Sequence, residues 1–95
     1  MRLVWSNLAK RELRDLHRYS VARWGHDVAQ RYLEDLRDAA KLVGAGPQCA
    51  RPIKGPFRIV RVRSHYLIVH VDARAARVTI ARVLHVAMDI ERHLP

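Results

Sequence analysis

The hydrophobic and polar positions divide the chain into a helical first half and a strand-rich second half. The clearest helical pattern places apolar residues at spacings of three and four along one face: Ala29, Tyr32, Leu33, Leu36, Ala39, Ala40 and Val43. Asp27 is the predicted N-cap of this helix, with Gln30 completing a capping box, and the Gly and Pro residues at 44–47 are predicted to end it.

A weaker apolar stripe precedes this helix: Ala9, Leu13, Leu16 and Ser20. It predicts a first helix that begins near Asn7, with Ser6 as its N-cap, and ends at Gly25. We therefore expect two antiparallel helices joined by a short glycine turn.

The strand signals lie at both ends of the chain. A short first strand is predicted at residues 2–5, and three longer strands at 57–63, 66–71 and 77–85, in an antiparallel meander. Residues 48–56 contain two prolines and a glycine, which predicts a long loop. The expected fold is α+β, with the N-terminal strand and the helical hairpin packed on a twisted antiparallel sheet, and a short helical tail at 90–94.

Length and charge narrow the class of protein. A chain of 95 residues fits a single domain spanning 1–95. The net charge is +9, and residues 51–95 hold nine Lys or Arg against three Asp or Glu. This imbalance favours an acidic partner, either nucleic acid or an acidic polypeptide, and charge alone does not choose between them.

Several function classes find little support in the sequence. No apolar run approaches the length of a membrane span, no signal-peptide pattern precedes the first helix, and Cys49 is the single cysteine, so we expect a soluble cytoplasmic protein without membrane association. The six histidines lack metal-site spacing, and there is no phosphate-binding glycine loop. We expect neither a metal nor a cofactor.

The arginines of the strands are the first candidates for binding. Alternation along a strand places Arg61 and Arg63 together on the sheet face that the helices do not cover, which predicts a cationic concave surface. Arg82 is expected on the same side of its strand as its apolar neighbours at 80 and 84. A guanidinium buried there needs an acidic or carbonyl partner, for which Asp72 and Asp89 are the candidates.

The closing run of the chain resembles the signature of the ParE toxins, in the ParE/RelE superfamily of type II toxin-antitoxin systems. Its matching positions are Arg82, the pair Val83-Leu84, His85 and Asp89. Further likeness lies in the two arms of the hairpin, at residues 15–20, 23–25 and 32–33, so the resemblance covers most of the chain.

The resemblance implies a toxin that poisons DNA gyrase by binding, without catalytic residues of its own. It also implies neutralisation by a ribbon-helix-helix, ParD-like antitoxin, through which alone the toxin would meet DNA. We expect the antitoxin to contact Tyr19, Trp24, Tyr32, Leu36, Arg58, Arg61 and Arg63. We expect the target to contact Arg82 in the last strand, together with His85, Asp89 and Arg92 in the closing segment 85–95.

Two other functions remain open. A RelE-like messenger-RNA endoribonuclease would use Arg61, Tyr66, Arg82 and His85 as its cations and proton-transfer groups. The absence of a tyrosine after Tyr66 weighs against that activity, because many ribonuclease members place an aromatic residue near the C-terminus. A plain basic nucleic-acid-binding module is the third hypothesis.

Overall fold

A computed structural model describes residues 1–94 as two helices and five strands with two short 3₁₀ turns. The helices are α1, Asn7–Trp24, and α2, His26–Ala45. The strands are β1, Arg2–Trp5; β2, Arg51–Lys54; β3, Phe57–Val62; β4, His65–Asp72; and β5, Arg77–His85. The turns are Pro47–Cys49 and Glu91–His93. Pro95, the end of the segment predicted to contact the target, lies outside the described residues.

The five strands form one sheet in the order β1-β5-β4-β3-β2. The predicted antiparallel meander of β3, β4 and β5 is confirmed. The sheet as a whole is mixed, because β1 pairs with β5 in parallel, from Arg2 opposite Arg77 to Trp5 opposite Ile80. The alternation of side chains predicted the strand but carries no information about the direction of its neighbour.

One predicted loop contains an additional strand. Arg51–Lys54, inside the segment 48–56, pairs with β3 at the edge of the sheet. The ladder is irregular between Pro52 and Lys54. Because an edge strand needs only half of its backbone hydrogen bonds, it tolerates the proline that argued against a strand.

The N-cap of α1 agrees with the prediction from the sequence, whereas the N-cap of α2 does not. Ser6 caps α1, since its Oγ accepts a hydrogen bond from the Ala9 N–H at 3.0 Å, and it also donates to the Ala81 carbonyl of β5 at 2.8 Å. Helix α2 already begins at His26, so Asp27 lies in its first turn and is not the N-cap. Gly25 joins the two helices with a φ of 91°, a conformation that favours glycine.

The sheet buries apolar side chains on both faces. The helical hairpin covers the larger core: Ala9, Leu13, Leu36, Ala40, Val43, Ala50, Leu67, Val69, Val78, Ile80 and Val83. On the other face Ile59, Ile68 and Leu84 form a smaller cluster, against which Ile90 and Leu94 of the tail pack. The face predicted to be open and cationic is therefore apolar at its centre. The helical part of the tail is limited to the 3₁₀ turn Glu91–His93.

Neither long helix in the described chain carries an apolar stretch that could cross a bilayer.

Candidate functional site

A largely buried ion pair lies at the edge of the sheet beyond the end of β1. The Arg82 guanidinium contacts the Glu12 carboxylate through Nη2 at 2.8 Å and Nε at 3.1 Å, and the two side chains are 17% and 19% exposed. Glu12 also accepts the Val83 N–H at 2.9 Å. A carboxylate of α1 thus takes the place of a strand partner beyond β1, and it neutralises the arginine.

A β-bulge determines where Arg82 points. The register of β4 and β5 shifts between Ile68 and Val69, so Ile68 lies opposite Arg82 and Val69 lies opposite Ile80. Ile80 therefore packs in the core under the helices, whereas Arg82 and Leu84 belong to the other face. The expectation that residues 80, 82 and 84 share one face is wrong for this reason.

The predicted partners of Arg82 have other contacts. Asp72 pairs with Arg77 at 3.6 Å, and Asp89 pairs with Arg92 at 3.7 Å. Besides Glu12, Arg82 donates to the His93 carbonyl at 3.0 Å, which ties the tail to β5. Arg82 is thus a structural contact as well as a candidate for target binding.

The first of two grooves beside α1, here called the aromatic groove, lies between α1, the start of α2 and the end of β5. It has a volume of about 640 Å³. Its lining residues are Glu12, Asp15, Leu16, Tyr19, Ser20, Trp24, Tyr32, Ser64, His65, Val83, His85 and Met88.

Exposed apolar side chains form the rim of the aromatic groove. Tyr19 and Trp24 meet edge to face with ring centroids 5.9 Å apart, and they are 58% and 52% exposed. Met88 adds a third exposed apolar side chain, at 39%. Clusters of exposed apolar side chains are typical of surfaces that interact with other molecules.

Three packed side chains, Tyr32, His65 and His85, lie at the floor of the aromatic groove. The Tyr32 hydroxyl lies 2.6 Å from His65 Nδ1 and accepts the Ser64 N–H at 3.1 Å. The ring centroids of His65 and His85 are 5.2 Å apart. Burial, and secondarily the nearby charge of His85, lower the pKa of His65. The cluster links α2 to β4 and β5.

One further polar group lies beneath this groove. Ser20 of α1 is 2% exposed, and its Oγ has no hydrogen-bond partner within residues 1–94.

The second groove, here called the cationic groove, lies between α1 and α2 on the opposite side of α1. Its volume is about 740 Å³. Its lining residues are Asn7, Lys10, Arg11, Leu13, Arg14, His17, Leu33 and Arg37, none of which is acidic. At 3.6 residues per turn, the α1 residues of the two grooves fall on opposite faces of the helix.

The structure separates the arginines that were expected to form one surface. Arg61 is exposed on the sheet face away from the helices, where it lies opposite Tyr66. Arg63 has a φ of 53°, which ends the alternation, and its guanidinium pairs with Asp35 of α2 at 2.5 Å. Arg58 is half-buried and donates to the Ala50 carbonyl at 2.9 Å. The predicted cationic concave surface is not formed.

The other predicted binding residues fall into two groups. Tyr19, Trp24 and Tyr32 line the aromatic groove together, but Leu36 is fully buried in the core and offers a partner no surface. Among the expected target contacts, His85 is exposed, and the Asp89 and Arg92 side chains are 61% and 84% exposed.

The four candidates for ribonuclease chemistry are not brought to one place. Arg61 and Tyr66 lie opposite each other on β3 and β4, on the sheet face away from the helices. His85 lies beside His65 on the helix side, and its Nδ1 accepts the Ala87 N–H at 3.0 Å. Within the described part of the chain, no group of three or more His, Cys, Asp or Glu side chains is placed to hold a metal ion.

Two solved structures show the same fold. A chain of the "Chromosomal ParDE TA system from P. aeruginosa" superposes with a TM-score of 0.79 at 20% identity, covering 90% of this chain and 96% of that one. The "YoeB/ParE toxin from Agrobacterium tumefaciens" gives 0.61 at 17% identity, covering 90% and 98%. The hairpin on a five-stranded sheet therefore defines a ParE/YoeB-type toxin fold.

Sequence comparison adds the family. The sequence model described as "ParE toxin of type II toxin-antitoxin system, parDE" matches residues 3–90. Toxin ParE1 of Mycobacterium tuberculosis (strain H37Rv) is 31% identical over 96 residues, covering 98% of this chain and 97% of the relative. Toxin ParE1 of Caulobacter vibrioides is 32% identical over 92 residues, covering 94% and 93%. The chain belongs to the ParE toxin family of type II toxin-antitoxin systems.

Proposed function

We propose that this chain is a cytoplasmic toxin that a ParD-like antitoxin neutralises and that acts by poisoning DNA gyrase. Membership of the ParE family over residues 3–90 is the observation that carries the proposal. The similar structure from P. aeruginosa is that of a chromosomal ParDE system, which supports an antitoxin as the partner. The four ribonuclease candidates do not share one surface, so binding is favoured over catalysis.

The aromatic groove is the proposed antitoxin site. Tyr19, Trp24 and Met88 provide exposed apolar surface at its rim, and Leu16 continues this surface inward. A groove of this shape accepts the apolar face of an amphipathic helix. Large aromatic side chains contribute most of the energy in such interfaces, which makes Trp24 and Tyr19 the expected anchors.

The basic residues predicted to contact the antitoxin contribute less to the proposed site than the aromatic residues do. Arg63 borders the groove, since its guanidinium lies 5.2 Å from the centre of the Tyr32 ring. Its pairing with Asp35 leaves it exposed enough to exchange that carboxylate for one on the antitoxin. Arg58 and Arg61 lie outside the groove, and Leu36 is removed from the proposed surface because it is buried.

The proposed contact with gyrase is the exposed closing segment. His85, Asp89 and Arg92 present their side chains to solvent there. Arg82 holds this segment in place through the His93 carbonyl. Because His85 also lines the aromatic groove, an antitoxin bound in that groove would cover part of the proposed target surface.

The direct test incubates the purified chain with gyrase and supercoiled plasmid, and with translated messenger RNA in a parallel reaction. We expect linear DNA covalently linked to gyrase and intact RNA. Adding the antitoxin should abolish the DNA product, and in cells it should abolish growth inhibition. The Arg92→Ala substitution should weaken the DNA product, whereas Arg51→Ala, an exposed arginine on the far edge strand, should not. Cut RNA with unbroken plasmid would overturn the proposal.

A further inference from the structure

The cationic groove has no role in the function proposed above, although it gathers four exposed cations on the two helices. Lys10, Arg11 and Arg14 come from α1, and Arg37 comes from α2. Lys10 and Arg14 are one turn apart, a spacing at which like charges repel and slightly destabilise a helix. The arrangement therefore costs stability unless an anion neutralises it.

These cations do not pair with carboxylates in the described chain. The ion pairs found within residues 1–94 use other arginines: Arg63, Arg77, Arg82 and Arg92. The first turn of α1 also contains no acidic residue, so the positive end of the helix dipole adds to the charge of Lys10 and Arg11. The groove has the electrostatic character of an anion site.

The apolar surface distinguishes the possible anions. An amphipathic acidic helix would need exposed apolar anchors, which the aromatic groove supplies. The exposed large hydrophobic residues of the described chain are Met1, Leu8, Tyr19, Trp24, Val28, Leu42 and Met88, and none of them lines the cationic groove. Leu13, on the floor, is only 9% exposed. Leu33, the other apolar lining residue, is half-buried. The exposed ends of the four cations are therefore the feature by which this groove would select a partner.

We infer that the cationic groove binds the phosphate backbone of duplex DNA. Duplex DNA carries about one negative charge per 1.7 Å of axis, a dense and regular line of anions. Three of the four cations are arginines, whose guanidinium geometry matches phosphate oxygens. This contact is independent of base sequence and of the proposed binding of gyrase, and it departs from the expectation that the toxin meets DNA only through its antitoxin.

The test measures the affinity of the purified chain for a fluorescein-labelled duplex of random sequence at several salt concentrations. Four phosphate contacts predict a slope of about −3.6 for the logarithm of the association constant against the logarithm of salt concentration. The quadruple variant Lys10→Gln, Arg11→Gln, Arg14→Gln and Arg37→Gln should lose at least about tenfold in affinity, and its slope should approach zero.

A matched variant separates the groove from the net charge of the protein. Arg2→Gln, Arg51→Gln, Lys54→Gln and Arg74→Gln also removes three arginines and one lysine, all exposed and outside the groove. It should keep most of the affinity and the slope. Thermal melting of both variants establishes that they fold, and the double variant Lys10→Gln and Arg11→Gln replaces the quadruple one if that one does not.

Three results would overturn the inference. The first is equal loss of affinity in the two quadruple variants, which would assign the binding to overall charge. The second is no binding of the duplex by the unsubstituted chain at low salt. The third is displacement of the duplex by polyglutamate at equal charge concentration, which would assign the groove to an acidic polypeptide. None of these measurements involves gyrase or the antitoxin, so the two proposals succeed or fail separately.

Discussion

The two grooves share helix α1 but differ in chemistry. On one side of α1, carboxylates and aromatic residues face β5 and the tail, as in the aromatic groove lined by Glu12, Asp15 and Tyr19. On the other side, cations face α2, as in the cationic groove lined by Lys10, Arg11 and Arg14. One helix thus separates an apolar docking surface from a positively charged one. The net charge of +9 for the whole chain does not distinguish these two surfaces.

The grooves also differ in how they are assembled. The cationic groove consists of two neighbouring helices, so its residues follow from helical periodicity. The aromatic groove combines α1 and α2 with β5 and with the turn that follows Arg63, and it depends on the packing of the hairpin against the sheet. Substitutions that loosen this packing should therefore damage the aromatic groove first.

The largest expected effect comes from Glu12→Gln. The change leaves the Arg82 guanidinium, which is only 17% exposed, without its carboxylate, and Glu12 itself lines the aromatic groove. We expect a loss of about 3 kcal/mol in the free energy of unfolding, because removing one partner of a buried pair strands the other charge. Urea denaturation measures it. The control is Asp15→Asn, an exposed carboxylate one turn along, which should change stability by less than about 0.5 kcal/mol.

A loss below about 1 kcal/mol for Glu12→Gln would show that the pair is as weak as a surface ion pair. The Glu12 side chain would then be as weakly constrained as the cations on the other side of α1. The two grooves would no longer differ in this respect.

Glu12 also shows what the sequence could and could not predict. The two helices, the meander of β3–β5 and the Ser6 cap follow from local periodicity and capping chemistry. The pairing of Glu12 with Arg82 does not, because it joins residues 70 positions apart and depends on where β1 ends. The bulge at residue 81, which turns Arg82 away from Ile80, likewise depends on the pairing of two strands.

The candidate site was predictable to a similar extent. Tyr19, Trp24 and Tyr32, three of the antitoxin contacts predicted from the sequence, line one groove. His65, Ser64 and Met88 join them only through the folding of the sheet, so no local pattern pointed to them. The cationic groove does not stand out in the sequence, because most of the net positive charge lies in residues 51–95, outside the two helices.

The second prediction concerns Trp24→Ala. We expect antitoxin affinity to fall about 30-fold, or about 2 kcal/mol, because an exposed aromatic anchor is lost. Duplex DNA binding should not change, since Trp24 lies outside the cationic groove. Calorimetric titration with the antitoxin measures the first effect. Leu42→Ala is the matched control, since Leu42 is 68% exposed but lies in neither groove.

Equal weakening by Leu42→Ala would mean that exposed apolar area, wherever it lies, determines antitoxin binding. The aromatic groove would then be no more important for antitoxin binding than other exposed apolar surface.

A smaller effect is expected from Gly25→Ala, next to Trp24. The φ of 91° at Gly25 is unfavourable for a residue with a Cβ, although the space around that Cβ is open. We expect a loss of at least about 1 kcal/mol in stability, measured by thermal unfolding. Gly46→Ala is the control, because its φ of −154° is ordinary and its Cβ would meet only the movable end of Gln48. Equal losses would contradict the assignment to backbone strain.

The smallest expected effect is a dependence of stability on pH. It reports how far water is excluded from the floor of the aromatic groove. Burial first, and the charge of His85 second, lower the pKa of His65 in the folded chain. The unfolded chain therefore takes up a proton at higher pH than the folded chain does, so stability falls as the pH drops below about 6.5. Urea denaturation between about pH 8 and about pH 5.5 should show this fall in stability as a slope against pH. The slope should flatten in His65→Asn. It should not flatten in the control His26→Asn, which replaces an exposed histidine of the hairpin turn. If His65→Asn kept the full slope, the floor of the aromatic groove would be as hydrated as the cationic groove, and binding there would gain less from the release of water.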